Sequence, residues 1–259
     1  MSRLLLVLLV CCSVRAYGSE YSSVQFPTLA APAQTGPRPV ITAAVYKPSG
    51  PGPFAAVVVL HHCGGIDPEL HVWARRLADQ GYVSILPDSF GPRGVGRDCT
   101  NSQVSPAQRV PDVYAAANYL RTQPWIRGDR IGLLGFSHGG ATIVQLATSQ
   151  PLAAQFRAAV AFYPDCRVAA TTINLPTLVL IGAKDDWTPA APCSAWGGRV
   201  GEPNKLNVVV YPDAYHRFDG TRTAEVAGGH GVMHHLQYNA AAAADANAKT
   251  DAFLARMLK

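Results

Sequence analysis

Apolar residues are grouped along the chain in two alternating patterns, which predict strands and helices in turn. The segments VITAAVYKP, FAAVVVL and YVSILPDSF have the length and residue types of strands. The second of them, residues 54–60, is apolar at every position, as in a strand buried on both faces. Between the second and third segments, PELHVWARRLADQG repeats its apolar residues at helical spacing and ends at Gly81, which predicts a helix.

The alternation continues to the end of the chain. A helix is predicted from about Ser105 to Gln123, followed by a strand over RIGLLGF and a helix over HGGATIVQLATSQ. The remaining predicted strands are FRAAVAFYP, PTLVLIG and LNVVVYP, and the remaining predicted helices are APCSAWGGRV and the alanine-rich stretch from Ala240 to Leu258. Strands and helices that alternate in this way predict a three-layer α/β fold, in which a mainly parallel sheet carries helices on both faces.

Neither a repeat nor a low-complexity linker interrupts this pattern. Residues 40–259 are therefore predicted to form a single domain, preceded by an extended, proline-rich segment over residues 17–39. With 48% hydrophobic and 15% charged residues, the chain has the composition of a globular protein. Its net charge is +5, but the basic residues are scattered. We therefore expect neither nucleic acid nor a membrane surface as a partner.

The first residues have the pattern of a secretory signal peptide. Arg3 precedes an apolar stretch over about residues 4–12, and the small residues around Ala16 resemble a cleavage site. The stretch is too short to span a bilayer. We predict a signal peptide over residues 1–16 and a secreted or periplasmic protein, with a net charge of +3 after the loss of Arg3 and Arg15. The alternative is an apolar N-terminal strand.

Export would make the cysteines of the mature chain available for disulfides. In an oxidising compartment four cysteines permit one or two disulfides, with three possible full pairings. They show no CxxC or Cys/His ligand spacing, so a structural zinc site is not predicted. The four are Cys63, Cys99, Cys166 and Cys193.

A serine flanked by glycines stands between a predicted strand and a predicted helix. Residues 135–139 read GFSHG, which is the GxSxG pattern of a nucleophile elbow. In such an elbow a strained turn presents the serine hydroxyl, and the flanking glycines avoid clashes with the strand and the helix. The helix N-terminus favours developing negative charge. The pattern predicts Ser137 as a nucleophile.

A serine nucleophile needs a base, and the base needs an orienting acid. In the elbow fold the order along the chain is serine, acid, histidine. Asp185 follows the strand PTLVLIG, and His216 follows the strand LNVVVYP, so we predict them as the acid and the base. The alternatives are that Asp185 or Asp186 only caps a helix, that Asp165 is the acid, and that His216 is a solvated loop residue.

Acyl transfer also requires two donors for the oxyanion. One is predicted to be the backbone N–H of His138, directly after the nucleophile. The other is predicted to be the backbone N–H of Cys63, in the loop HHCGG at residues 61–65.

The histidines of the chain allow a metal-binding alternative. His61 and His62 could be metal ligands together with the two aspartates after PTLVLIG, but neighbouring histidines on a strand point to opposite faces. His230, His234 and His235 are predicted to lie in a loop before the last helix rather than in a metal site.

Five motifs together resemble those of dienelactone hydrolase family proteins, most closely an exported branch with a serine nucleophile. They are LHHCGGI, LPDSFGPRGVG, GFSHGG, GAKDDWTP and YPDAYHRFD, and the similarity extends in order from about Ile41 to Leu258. The resemblance implies the α/β-hydrolase fold. It also implies that Ser137 is the nucleophile, Asp185 the acid and His216 the base, with Cys63 as an oxyanion donor.

Two positions depart from the best-known members of that family. Those members use a cysteine nucleophile assisted by a glutamate, where this chain has Ser137 and His62. They also hold the carboxylate of the lactone with arginines. Arg93 is expected to supply one of these, but Gly220 stands where the other would be, four residues after the histidine. We expect Arg93, His62 and Trp187 to bind substrate.

The resemblance implies a serine hydrolase that cleaves carboxylic esters or lactones through an acyl-enzyme, without a metal or an organic cofactor. Its partner would be a small-molecule ester or lactone, and we expect a monomer or a weak homo-oligomer with no membrane attachment after signal cleavage. The alternatives are a non-catalytic ligand-binding protein on a hydrolase scaffold and a metal-dependent hydrolase. The segments 91–105 and 220–235 are expected to shape specificity.

The placement of the cysteines predicts one disulfide. Cys166 and Cys193 follow strands that are expected to be neighbours in the sheet, so we predict that they pair. Cys63 and Cys99 could pair too, and a bridge there would constrain the oxyanion loop.

Overall fold

The structure is a computed structural model that describes residues 19–29, 38–149, 152–167, 169–170 and 172–259. The predicted signal peptide lies outside the described residues. Among the helices that are described, none has the length and apolar character needed to cross a membrane.

Ten strands and five α-helices are seen in the described part of the chain. The strands are β1 (Glu20–Pro27), β2 (Val40–Lys47), β3 (Phe54–Leu60), β4 (Val83–Pro87), β5 (Ile126–Phe136), β6 (Ala158–Phe162), β7 (Thr177–Gly182), β8 (Leu206–Tyr211), β9 (Ala224–Ala227) and β10 (Met233–Leu236). The helices are α1 (Pro68–Asp79), α2 (Pro106–Arg121), α3 (His138–Ala147), α4 (Ala190–Val200) and α5 (Ala240–Leu258). Three short 3₁₀ turns lie at Gly91–Arg93, Leu152–Gln155 and Gly229–Gly231.

Eight strands form one sheet in the order β1-β2-β4-β3-β5-β6-β7-β8. From β4 to β8 all neighbours are parallel, while β1 and β2 are antiparallel to their neighbours. Because β4 lies on one side of β3 and β5 on the other, the loops after β3 and β5 diverge and leave a crevice between them. In open parallel sheets such a switch point is where ligands bind.

Helices cover both faces of the sheet, as the alternating pattern predicts. Helices α1 and α5 lie together on one face, where Arg76 pairs with Asp251 (2.6 Å). On the other face α2 packs against α3. Strand β3 runs through the centre, and Val57, Val58 and Val59 are fully buried, because helices remove both faces of the strand from water.

Two parts of the sheet structure were not predicted as strands. The segment 17–39 contains β1, which pairs with β2 along its whole length. Most side chains of β1 are exposed and only Phe26 is buried, so this edge strand has no apolar alternation to reveal it. The prediction that His234 and His235 lie in a loop is wrong, because both are on β10 of the β9–β10 hairpin. Strands of four residues are too short to show the alternation of apolar and polar residues that identifies a strand.

Candidate active site

Ser137 occupies a sharp turn between β5 and α3. Its backbone has φ 49° and ψ −110°, an unfavourable conformation for a residue with a side chain. The flanking glycines are required by close backbone approaches. A Cβ at Gly139 would lie 2.3 Å from the carbonyl oxygen of Leu60 on β3, and one at Gly135 would lie 2.5 Å from the carbonyl oxygen of Gly139. The glycines therefore let the helix start directly against two strands.

His216 connects the serine to an aspartate through its two ring nitrogens. Its Nε2 lies 3.0 Å from Ser137 Oγ, and its Nδ1 lies 2.8 Å from Asp185 Oδ2. All three residues are buried. Because Nδ1 donates its proton to the carboxylate, Nε2 has a lone pair directed at the serine hydroxyl. This arrangement allows the imidazole to accept the hydroxyl proton.

The carboxylate of Asp185 is held by the residues that follow it. Its Oδ1 accepts hydrogen bonds from the backbone N–H groups of Trp187 (3.0 Å) and Thr188 (2.8 Å). The hydroxyl of Thr188 lies 3.0 Å from Asp185 Oδ2 and 3.1 Å from His216 Nδ1. Asp185 thus organises its own turn and also contacts the imidazole. Thr188 was not predicted as part of the site, although its position three residues after the acid is a recognisable turn signal.

The alternative acid Asp165 and the neighbouring Asp186 lie elsewhere. Asp165 forms an ion pair with Arg167 (2.7 Å). Asp186 faces the hairpin, where it accepts from the backbone N–H of His235 (3.3 Å) and lies 3.4 Å from the ring of His234. Neither contacts His216.

The loop after β3 brings Cys63 to the site. The backbone N–H groups of Cys63 and His138 have no hydrogen-bond partner in the described structure, so both are free to donate. His61 and His62 instead make hydrogen bonds within their own loop and to its neighbours. In the ranges that the structure describes, no group of three or more His, Cys, Asp or Glu side chains could hold a metal ion.

A cavity of about 380 Å³ opens beside Ser137. One wall is polar and comes from the loop after β3, the start of α1 and the segment after His216. Another part of the wall is apolar and comes from Trp187 and the β9–β10 hairpin. The lining residues include His62, Cys63, Asp67, Glu69, Arg97, Cys99, Trp187, Arg217, Thr221, Arg222, Val226 and Leu236.

Two of the three predicted substrate-binding residues lie at the cavity, and the third does not. His62 and Trp187 line the cavity, whereas Arg93 does not. The guanidinium of Arg93 makes two hydrogen bonds to the buried carboxylate of Asp112 (2.8 and 3.0 Å) and a third to the carbonyl of Ser89 (2.7 Å). Arg93 therefore lies outside the cavity, and the prediction that it binds substrate there is corrected. Both segments expected to shape specificity do line the cavity.

Arg217, the residue after His216, was not predicted as part of the site. It donates to Asp67 (3.0 Å) and forms an ion pair with Glu69. Burial would lower the pKa of Arg217, but the negative charges of the neighbouring acidic groups, including Glu69 and Asp67, outweigh it and raise the pKa. The guanidinium therefore stays charged and links the segment after His216 to the start of α1.

Both cysteine pairs form disulfides. The predicted pairing of Cys166 with Cys193 is confirmed, and Cys63 is joined to Cys99. The second bridge ties the loop that contains the free N–H of Cys63 to the segment 91–105. Both of its cysteines line the cavity.

Comparison with known proteins connects this geometry to a family. The model of the dienelactone hydrolase family matches residues 41–258. A "Putative carboxymethylenebutenolidase" of Yersinia pestis is 29% identical over 189 residues, which are 65% of this chain and 70% of that protein. A "Probable 2-oxo-3-(5-oxofuran-2-ylidene)propanoate lactonase" of Bradyrhizobium is 28% identical over 203 residues, 70% of this chain and 76% of that protein.

Solved structures share the fold. The structure of a "Putative Dienelactone Hydrolase" from Klebsiella pneumoniae superposes with a TM-score of 0.71 at 23% identity, and the match covers 92% of this chain and 99% of that one. A dienelactone hydrolase-like promiscuous phosphotriesterase from metagenomic libraries gives a TM-score of 0.72 at 22% identity, with 93% and 100% covered.

Proposed function

Because this chain belongs to the dienelactone hydrolase family, we propose that it is a serine hydrolase that cleaves carboxylic esters or lactones through an acyl-enzyme. The observation that carries the proposal is the pair of contacts of His216, 3.0 Å to Ser137 Oγ and 2.8 Å to Asp185 Oδ2. The family supports a hydrolase, and the geometry supports this particular mechanism.

In the first half of the reaction, Ser137 Oγ attacks the carbonyl carbon while Nε2 of His216 accepts the hydroxyl proton. Asp185 keeps Nδ1 protonated and stabilises the imidazolium. The oxyanion of the tetrahedral intermediate accepts hydrogen bonds from the N–H groups of Cys63 and His138. When the intermediate collapses, Nε2 gives its proton to the leaving alkoxide. A water then hydrolyses the acyl-enzyme by the same steps in the second half.

The cavity suits a small substrate. Its volume of about 380 Å³ is at the lower end of the range for small-molecule sites. A lactone is a cyclic ester, and the lactonase name of the Bradyrhizobium relative supports testing lactones beside linear esters. We assign the acyl or lactone ring to the space between the apolar hairpin wall and the Cys63 loop.

We also propose that the protein works after export. Two disulfides in one chain fit an oxidising compartment and are uncommon in the cytosol. Determining the N-terminal residue of the mature protein tests the predicted cleavage after Ala16, and a mature chain that retains Met1 contradicts it.

Active-site labelling with a fluorophosphonate tests the mechanism. We expect the reagent to modify Ser137, as seen by peptide mapping, whether or not a chelator is present. Ser137→Ala should abolish labelling and lower ester hydrolysis by several powers of ten. Ser194→Ala, at an exposed position of α4, serves as the matched control and should behave like the wild type.

Two results would overturn the proposal. If hydrolysis persists in Ser137→Ala and disappears with the chelator, the protein is a metal-dependent hydrolase. If neither labelling nor hydrolysis of any ester or lactone occurs, it is a binding protein on a hydrolase scaffold.

A further inference from the structure

The two histidines before Cys63 hold the peptide groups on either side of it. The Nδ1 of His61 lies 2.8 Å from the carbonyl oxygen of His62, which belongs to the same peptide group as the N–H of Cys63. In a trans peptide the C=O and N–H point in opposite directions. A hydrogen bond that fixes this carbonyl therefore also fixes the direction of the Cys63 N–H.

His62 holds the peptide group that follows Cys63, and it does so through the N–H of that group instead of the C=O. The backbone N–H of Gly64 donates to Nδ1 of His62 (2.9 Å), and this N–H belongs to the peptide group that follows Cys63. The ring itself is anchored, because its Nε2 donates to Asp67 Oδ2 (2.8 Å). One imidazole thus restrains the peptide group before Cys63 and another the group after it. Each group also has a backbone partner, because the N–H of Gly65 donates to the His62 carbonyl (3.2 Å) and the N–H of Asp98 to the Cys63 carbonyl (2.8 Å).

These contacts require two neutral imidazoles with opposite tautomers. His61 donates through Nδ1, and its Nε2 accepts from the backbone N–H of Ser89 (3.2 Å). His62 accepts through Nδ1 and donates through Nε2. Burial is the main cause that lowers the pKa of both rings, which favours the neutral forms. The lone pair of each ring is occupied by a backbone N–H, so neither histidine is presented as a metal ligand.

Arg109 connects this loop to the second proposed donor. Its Nη1 lies 2.9 Å from the carbonyl oxygen of His61 and 2.8 Å from Nδ1 of His138. The arginine is fully buried, and no carboxylate in the described part of the chain forms an ion pair with it. Burying such a charge is costly. Burial lowers its pKa to about 9, so it is still charged at neutral pH and links the backbone of the loop to the imidazole of His138.

We propose that His61 and His62 are positioning residues, which aim the N–H of Cys63 at the oxyanion, and that Arg109 fixes their loop relative to His138. This inference rests on the proposed function. It replaces the metal-ligand interpretation of the histidine pair and gives His62 a role in addition to the expected binding of substrate.

Paired substitutions test the inference. His61→Phe and His62→Phe remove the hydrogen bonds to the loop. Asparagine keeps a polar atom near the position of Nδ1. In His61→Asn the amide N–H can donate to the His62 carbonyl, and in His62→Asn the amide oxygen can accept from the Gly64 N–H. His71→Asn is the control, because His71 lies on α1 and bonds to Tyr46 (2.9 Å), away from the loop.

We expect each phenylalanine variant to lower kcat about 100-fold, the usual effect of losing one oxyanion donor, with KM changed only a few-fold. Affinity for a boronic acid, which forms a tetrahedral adduct with the serine, should fall in parallel with kcat. The asparagine variants should recover at least about 10-fold of the lost kcat, and His71→Asn should match the wild type. Thermal unfolding of every variant identifies those that are folded.

Three results distinguish the inference from the proposed function. An inactive wild type contradicts the proposed function itself. If the wild type is active and the folded phenylalanine variants have the same kcat, only the positioning role is contradicted. The role is also contradicted if kcat, KM and stability all deteriorate together and asparagine restores none of them, because the histidines would then serve only the folding of the loop.

Discussion

The Nε2 atom of His216 lies 3.0 Å from Ser137 Oγ, although 79 positions separate the two residues in the chain. The backbone after β8 makes this possible by returning across the end of β7, where the N–H of Lys184 donates to the carbonyl of Ala214 (3.0 Å). The β9–β10 hairpin supports the loop from the other side, because the N–H of Gln237 donates to the carbonyl of His216 (3.3 Å). The histidine is therefore held by backbone contacts from two directions.

The neighbouring aspartates provide a matched test of the acid. Asp185→Asn should lower kcat about 10⁴-fold, because an amide neither stabilises the imidazolium nor selects the correct tautomer. Asp186→Asn should leave kcat within about 2-fold of the wild type, since its carboxylate faces His234 and His235 instead of His216. Steady-state kinetics on one ester measures both. Similar losses in the two variants would contradict the assignment.

Thr188 offers a test of the hydrogen bonds behind the acid. Its hydroxyl lies 3.0 Å from both Asp185 Oδ2 and the carbonyl oxygen of Tyr163. Thr188→Val keeps the shape but removes the hydroxyl. Asp185 Oδ2 then keeps only its hydrogen bond from His216 Nδ1, and the carbonyl of Tyr163 loses its contact with the hydroxyl, so we expect kcat to fall about 10-fold. Thr188→Ser keeps the hydroxyl and should retain most of the activity. The expectation fails if valine and serine give the same kcat.

The parts of the fold that the sequence predicts well are those in which burial determines the residue type. Strand β3 is covered on both faces, so its apolar run could be recognised directly. The elbow was equally visible, because backbone approaches at Gly135 and Gly139 exclude any side chain. Edge strand β1 was missed because most of its side chains are exposed to solvent, which does not restrict the residue type.

Polar contacts between distant segments were the least predictable part of the site. Arg217 and Asp67 are separated by 150 positions, and nothing local to either residue indicates the other. Arg93 was assigned to substrate by resemblance, but the docking of α2 places the carboxylate of Asp112 beside it. The tautomers of His61 and His62 likewise follow from backbone geometry that a residue pattern does not contain.

Two glycines of very different surroundings test the packing of the elbow. Gly139→Ala places a Cβ 2.3 Å from the carbonyl oxygen of Leu60, so the helix must move, and we expect the free energy of unfolding to fall by about 2 kcal/mol or more. Gly198→Ala, within α4, has open space around the new Cβ and should stabilise by about 0.5–1 kcal/mol. Urea unfolding measures both. An equal effect of the two substitutions would contradict the close approach.

The charge of Glu69 should make a pH-dependent contribution to stability. Burial would raise the pKa of Glu69, but hydrogen bonds from Thr221 and the charge of Arg217 outweigh it, so the pKa lies below its ordinary value. A carboxyl group with a lower pKa in the folded state stabilises the protein above its unfolded pKa of about 4.3, and this stabilisation is lost as the pH falls through the folded pKa.

Glu69→Gln keeps an oxygen that can accept from Thr221 but removes the charge facing Arg217. We expect the variant to be less stable than the wild type by about 1 kcal/mol at pH 7, and the difference to shrink towards zero as the pH falls from about 5 to 3. Glu202→Gln is the control, because Glu202 pairs with Lys205 on the exposed surface and should contribute little at any pH. Urea unfolding over this pH range measures the differences. A destabilisation by Glu69→Gln that stays constant from pH 7 to pH 3 would mean that the charge is not its source, and that the loss comes from altered hydrogen bonding to Thr221.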